Sequence, residues 1–449
     1  LAALPYPQRA AKIMKLYLDE FTEQELLSYA EKAYGPAKFD TPAAAPVVKT
    51  EDSTYVQELW HGPTCAFKDM ALQMLPYLLT ASLQKTGEEK TVCILVATSG
   101  DTGKAALEGF RDVDRTKILV FYPDGGVSDI QKLQMVTQEG QNVGVCAVRG
   151  NFDDAQTGVK RIFSDEALRQ TLAARGYFLT SANSINWGRV LPQIVYYISA
   201  YCDLLKQGAI APGDKINICV PTGNFGNILA GFYAKRMGVP IATLICASNE
   251  NNVLTDFIQT GTYDRNRPFY QTASPSMDIL ISSNLERLLY LLSGSDEEVR
   301  GYMQALAAAG RYTVSQAVAD AIRAEFACGF CTDAGGAATI GRMFRENSYL
   351  MDTHTAVAYT VLQAYRARTG DRTPTVVAST ASPFKFCASV LHALGVAEHR
   401  SGTQILAQLT SVTGRPVPAP LAGLAGKRVR FDEVADKAAM EAVVTEFLQ

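Results

Sequence analysis

Residues 91–110 read TVCILVATSGDTGKAALEGF, and the order of residue types in them decides the fold class. A β-branched apolar run, TVCILVAT, gives out in Ser99-Gly100-Asp101-Thr102-Gly103, and a helix-forming run follows. Two glycines let the backbone pass close to a ligand while hydroxyls and the first N–H groups of the helix face it, an arrangement suited to a carboxylate or phosphate. Ser, Asp and Thr are also favoured helix caps, so a plain capped turn is the ordinary alternative. Outward from this unit the runs KILVFYP, NVGVCAV, INICVPT, IATLICA and PTVVAST are each followed by a loop and an amphipathic stretch. That alternation predicts an α/β fold with largely parallel strands.

The turn type recurs at residues 216–238, INICVPTGNFGNILAGFYAKRMG, where Thr222, Gly223, Asn224, Phe225, Gly226 and Asn227 lie between a strand and a helix. It matches neither the dinucleotide fingerprint nor the P-loop, so a phosphate on a small cofactor fits better than a nucleotide. A third block, ELWHGPTCAFKDMALQMLPYLL at residues 58–79, sets Lys68 in the first turn of a helix-like run beside Phe67, Met70 and Leu72. Partial desolvation and the positive end of a helix both favour a neutral amine able to condense with an aldehyde. The ordinary alternative is a lysine that snorkels to water.

At 449 residues the chain exceeds one ordinary core. Strand grouping suggests an N-terminal segment with the lysine helix at 1–90, a small α/β domain at 91–205 and a large one at 206–449, with a helical start and a Pro/Ala connector, TPAAAPVV, within the first 50 residues. Apolar residues make up 47% and charged residues 19%, with a formal net charge of −3, which provides no basic field for nucleic acid. No window approaches the roughly 20 apolar residues of a membrane helix. The opening LAALPYPQRAAK lacks the apolar block of a secretory signal, so a cytoplasmic location is expected. Of nine cysteines only Cys328 and Cys331 have suggestive spacing, and no second pair completes a zinc set; they read as small buried hydrophobes, and no metal site is expected.

HGPTCAFKD, SGDTG and GNFGN occur in order with NSINWGR (183–189), SPSMDILISSNLERLLYLL (274–292), YLMDTHTAVAY (349–359) and STASPFKF (379–386). Together they resemble the threonine synthases, of the fold-type II pyridoxal-phosphate group, from about residue 55 to 390. The resemblance implies a tryptophan synthase β-like three-layer open sheet with a smaller inserted α/β domain. It implies pyridoxal 5'-phosphate carried as a Schiff base on Lys68, its phosphate held on the backbone amides of residues 223–227, and Thr380 facing the pyridine nitrogen. Ser99, Gly100, Asp101 and Thr102 would receive the substrate α-carboxylate, with Asp101 near the cofactor's phenolic oxygen. Asn183, Asn186 and Arg189 are the candidates for a substrate phosphate, with Lys104 and Lys385 as additions; for Arg189 a surface ion pair is the alternative.

His354 reads as a helix-entry or supporting residue, and His61, His392 and His399 as structural. Two positions depart from the family pattern: Thr353 stands where proline is usual and Ser382 where many members have histidine. The implied reaction turns O-phospho-L-homoserine and water into L-threonine and phosphate by γ-elimination and β-replacement. The alternatives are a phospholyase releasing phosphate, ammonia and a keto acid, and a non-catalytic amino-acid-binding protein of the same fold. A monomer or homodimer is expected.

Overall fold

A computed structural model describes residues 1–449. Two parallel-rich sheets carry the architecture. The larger runs, edge to edge, Val47–Glu51, Thr54–Glu58, Thr375–Ser379, Ile216–Pro221, Ile241–Ser248 and Phe326–Phe330; only its first pair is antiparallel. The smaller runs Val434–Asp436, Val143–Arg149, Thr116–Pro123, Thr91–Ala97 and Tyr177–Ser181, all parallel. A two-stranded ribbon, Thr262–Asp264 with Arg311–Thr313, completes the strands. No helix is long and apolar enough to cross a membrane.

The continuous apolar runs are explained by helices on both faces of each sheet. Along Thr91–Ala97, Val92, Ile94 and Val96 enter one core while Cys93, Leu95 and Ala97 enter another. In the large sheet Val376 and Ala378 join one core and Val377 the opposite one. All six strand runs read from the sequence are strands, and the helices between them complete an α/β architecture with largely parallel sheets.

Sheet membership crosses the boundaries expected at residues 90 and 205. Strands Val47–Glu51 and Thr54–Glu58 belong to the large sheet, the second lying parallel to Thr375–Ser379. At the far end of the chain Val434–Asp436 pairs with Val143–Arg149 of the small sheet, and Met440, Val443 and Val444 of helix Met440–Phe447 enter its core. The returning tail covers an edge that would otherwise present unpaired backbone groups. These strands are short, and the first 50 residues, read as helical, hold helices Tyr6–Lys15 and Glu23–Tyr34 before the chain turns extended at Val47.

Three strand ends set up the site, in keeping with the tendency of open α/β sheets to bind at the carboxyl ends of their strands. Ala97, Pro221 and Ser379 each end a parallel strand, and residues 98–103, 222–227 and 380–382 follow directly. The lysine loop is pinned to the third. Phe67 N–H donates to Thr380 O (2.8 Å) and Ser382 N–H to Cys65 O (3.0 Å), around an antiparallel bridge of Ala66 with Ala381.

Candidate active site

The three turns line one pocket with Lys68 in its wall. Lys68 is the residue before the short helix Asp69–Leu72 and is 8% exposed. Its Nζ lies 3.9 Å from Asp101 Oδ2 and 4.6 Å from the centre of the Phe67 ring. Burial pushes the amine down to about 8 against the opposing pull of Asp101. An amine of that kind is partly neutral near physiological pH, which nucleophilic attack on an aldehyde requires. Asp101 has the opposite history: burial works to raise it, but Lys385 and Lys68 hold it well below the usual carboxylate range.

The turn at residues 222–227 is built to leave its amides free. Its carbonyls are engaged from one side: Gly223 O accepts from Ser282 Oγ (2.8 Å), and Asn224 O from Asn284 N–H (3.1 Å) and Nδ2 (3.0 Å). The N–H groups of Gly223, Asn224, Phe225, Gly226 and Asn227 have no protein acceptor. Phe225 holds a left-handed φ of 64°, which tightens the turn into helix Gly226–Arg236. Tyr196 and Tyr197 hydroxyls both donate to Asn227 Oδ1, leaving its buried Nδ2 without a partner. Free amides at a helix start plus an orphaned amide donor fit a phosphate, and with Lys68 they fit a phosphorylated aldehyde.

At residues 98–103 side chains are presented instead. Ser99, Asp101 and Thr102 line the pocket, whereas Gly100, at φ 125°, packs against Gln131 and does not. Arg189 lines the pocket almost fully buried rather than in a surface ion pair; Nη1 donates to Ala182 O (2.6 Å) and Nε has no partner. Burial pulls it down to about 10, which leaves it cationic at neutral pH. Thr380 lines the pocket with its backbone fixed by Phe67.

Other candidates are placed differently. Asn183 borders the pocket, but its amide spans the backbone of Ala97, donating to O (2.8 Å) and accepting from N–H (3.3 Å). Asn186 is a correction: it caps helix Trp187–Lys206 through Gly188 N–H (2.9 Å) and donates to Ser181 O (3.0 Å), away from the pocket lining. Lys104 is another, spent on Glu108 (3.1 Å) and Gln138 because its helix turns it off the pocket. Lys385 is fully buried and lies on Asp101 rather than facing the cavity. Cys328 and Cys331 are buried free thiols, and His61 is held between Asp40 (2.6 Å) and Glu58 (2.9 Å).

The pocket also holds residues the sequence reading passed over or left in a supporting role. Ser184 accepts from Asn284 Nδ2 (3.1 Å), which joins the turn at residues 222–227 to the Arg189 helix. Thr98 and Ser276 are wall residues. His354 combines both roles: it enters helix Thr353–Thr369 beneath the cap Asp352 and lines the pocket. Ser276 N–H donates to its Nε2 (3.2 Å), so the ring proton sits on Nδ1, 3.0 Å from Asp352 Oδ1. The signal was legible in part, since Asp two residues before His in a helix-entry sequence sets up that pair.

The chain matches the family described as pyridoxal-phosphate dependent enzyme over residues 38–381, and threonine synthase, C-terminal, over residues 355–444. It is 41% identical over 409 residues to threonine synthase-like 1 of Homo sapiens, covering 89% of this chain and 54% of that protein. The chain thus spans about half the length of the first curated relatives it matches. Threonine synthase of Pseudomonas aeruginosa is 39% identical over 385 residues, with 85% of this chain and 78% of that protein covered. The crystal structure of PLP-bound threonine synthase from Brucella melitensis superposes with a TM-score of 0.86 at 37% identity, covering 100% of this chain and 89% of that one. With a lysine, a free-amide turn and a Thr380 hydroxyl gathered in one pocket, the cofactor is pyridoxal 5'-phosphate, and the chain belongs to the threonine synthase family of pyridoxal-phosphate-dependent enzymes.

Proposed function

We propose that this chain converts O-phospho-L-homoserine and water to L-threonine and phosphate. The observation that carries the reading is one buried lysine in a pocket with two separate sets of anion-accepting groups: the free amides of residues 223–227, and Ser184 with the half-free guanidinium of Arg189. One set suits the cofactor's phosphate and the other a substrate's. Lys68 and those amides would hold pyridoxal 5'-phosphate, which would supply an electron sink for the charge left when a carbon loses its proton.

The remaining work falls to the chain. Lys68 Nζ, pushed down to about 8 by burial, is poised to take the α-proton of the substrate and to return protons further along the carbon chain. Ser99 and Thr102 at the start of helix Asp101–Phe110 bind the α-carboxylate with the helix N–H groups. Arg189, assisted by Ser184 and the remaining donor of Asn183, holds the phosphate as it leaves the γ-carbon. The oxygen of water is added at the β-carbon. Thr380, in the pocket wall, would offer a ring nitrogen a hydroxyl rather than a carboxylate, which would temper the sink and suit loss and replacement of a leaving group.

A second reading, phosphate loss without hydration to give a keto acid and ammonia, draws on the same residues. Incubation of the cofactor-loaded protein with phosphohomoserine, followed by assay of phosphate, threonine and keto acid, separates them. Phosphate and threonine in equal amounts are expected. Phosphate with keto acid selects the second reading, and no phosphate release overturns both.

A further inference from the structure

Lys385 is a fully buried cation that the chemistry above does not use. It sits in the short 3-10 helix Pro383–Phe386, just beyond the segment that pins the lysine loop. Its Nζ lies 2.8 Å from Asp101 Oδ1 and donates to Thr64 O (3.0 Å). Gln131 Nε2 donates to the same Asp101 oxygen (2.8 Å). Both donors therefore fall on Oδ1, and Oδ2 is the oxygen turned to Lys68. Thr64 in turn gives its N–H and hydroxyl to Asp69 (2.8 and 2.7 Å), beside the lysine. One ammonium thus ties three segments: the end of the large sheet's Thr375–Ser379 strand, the lysine loop, and the first residue of the small sheet's helix Asp101–Phe110. A lone buried lysine would be costly, and the three-way pairing offsets that cost.

We infer that Lys385 is a positioning residue: it clamps Asp101 through Oδ1 so that Oδ2 alone is presented to Lys68, and it holds the lysine loop in register with the small sheet. This rests on Lys68 being the cofactor lysine. Lys385 never reaches the pocket, so it acts through Asp101 and Thr64 rather than on substrate. The arrangement also shares the carboxylate's charge between two cations. Without Lys385, Asp101 would face Lys68 as an uncompensated anion and hold its amine protonated.

The charged and titratable groups around Lys68 are Asp101, Arg189, Lys385 and Asp352, with His354 in the same wall. In Lys385→Met, Lys68 loses the repulsion of the Lys385 ammonium and Asp101 keeps its charge but loses that partner, so the Lys68 midpoint must rise. The test is competitive acetylation of Lys68 in the cofactor-free protein as a function of pH, read by mass spectrometry. The wild-type midpoint is expected at about 8 and that of Lys385→Met about one pH unit higher. In the loaded enzyme kcat should fall about tenfold with KM changed far less, since the misplaced proton hinders the chemical step more than binding. An unmoved or lowered midpoint overturns the inference, because a residue that only fills space would leave Lys68 unaltered. Should Lys385→Met not fold, Gln131→Met removes the other donor to Oδ1 and must raise the midpoint in the same direction by a smaller amount; no shift there also overturns it. The midpoint is read without substrate, so it can fail while the functional reading stands, and a wrong product assignment leaves it untouched.

Discussion

The turn after strand Thr91–Ala97 and the turn after strand Ile216–Pro221 both join a parallel strand to a helix through glycine, hydroxyl and amide residues. In the first, Thr98 Oγ1 accepts from the N–H groups of Gly100 (3.0 Å) and Gly103 (2.8 Å), so the turn is capped from within at two of its amides and offers the side chains of Ser99, Asp101 and Thr102 beside the amides left open. In the second no side chain of the turn accepts from its amides; Ser282 and Asn284 take its carbonyls from outside and leave its N–H groups clear. A turn capped from within adds side-chain chemistry to the few amides it leaves open. An externally braced turn binds by backbone dipoles that substitution can alter only by adding bulk. Similar wording in the sequence therefore encodes two recognition devices, and the bracing partners decide which.

The largest effect belongs to the residue both turns serve. Lys68→Ala should remove the visible absorbance of the lysine-bound cofactor and lower turnover by at least about three orders of magnitude, checked by spectrum and phosphate release. Turnover near wild type would mean that neither turn faces the reacting group. Next comes the braced turn. A Cβ at Gly223 would meet Met277 Cα at 3.1 Å and Ser276 O at 3.2 Å, so Gly223→Val forces backbone apart beside the amides. Cofactor affinity, followed by fluorescence titration, is expected to fall about a hundredfold, roughly 3 kcal/mol of charge-assisted hydrogen bonding. Ser282→Ala sharpens the point from behind. It removes only the donor to Gly223 O and should weaken cofactor binding about tenfold while Ser99 and Thr102 keep the KM for substrate within about threefold.

What could be read beforehand follows from how local each signal is. The six apolar runs announced themselves because strands covered on both faces need uninterrupted β-branched and apolar residues. VVKTE, TYVQE and VAD did not, since short strands near sheet edges carry polar residues and look like connectors. Lys68 and the two glycine turns were legible for the same reason, each being a contiguous motif with its own chemistry. Asn186 misled because a cap and a phosphate ligand are drawn from the same residue types. Lys385 misled because its partner Asp101 is 284 positions away in sequence, and only the fold brings the strand end to the small sheet's helix. Ser184 escaped notice for a similar reason: its link to the turn at residues 222–227 runs through Asn284.

Thr98→Val tests whether the two devices are separable, and its expected effect on cofactor binding is the smallest. Valine keeps the shape that packs beneath Gly103, where a built Cβ would lie 2.5 Å from Thr98 Cγ2, so the substitution removes an acceptor with little change in volume. The buried N–H groups of Gly100 and Gly103 then lack a partner, at a cost of about 1–3 kcal/mol in urea denaturation. A loosened turn presents Ser99 and Thr102 less well, which should raise the KM for substrate several-fold. Cofactor affinity should stay within about threefold, because the open amides of residues 223–227 follow a strand of the other sheet and are braced by Ser282 and Asn284 from the loop before helix Leu285–Ser293. Were cofactor affinity to fall as far as in Gly223→Val, the two turns would have to be one mechanical unit. The Lys385 and Asp101 contact, which joins the large sheet's strand end to the first turn's helix, would then be the element coupling them.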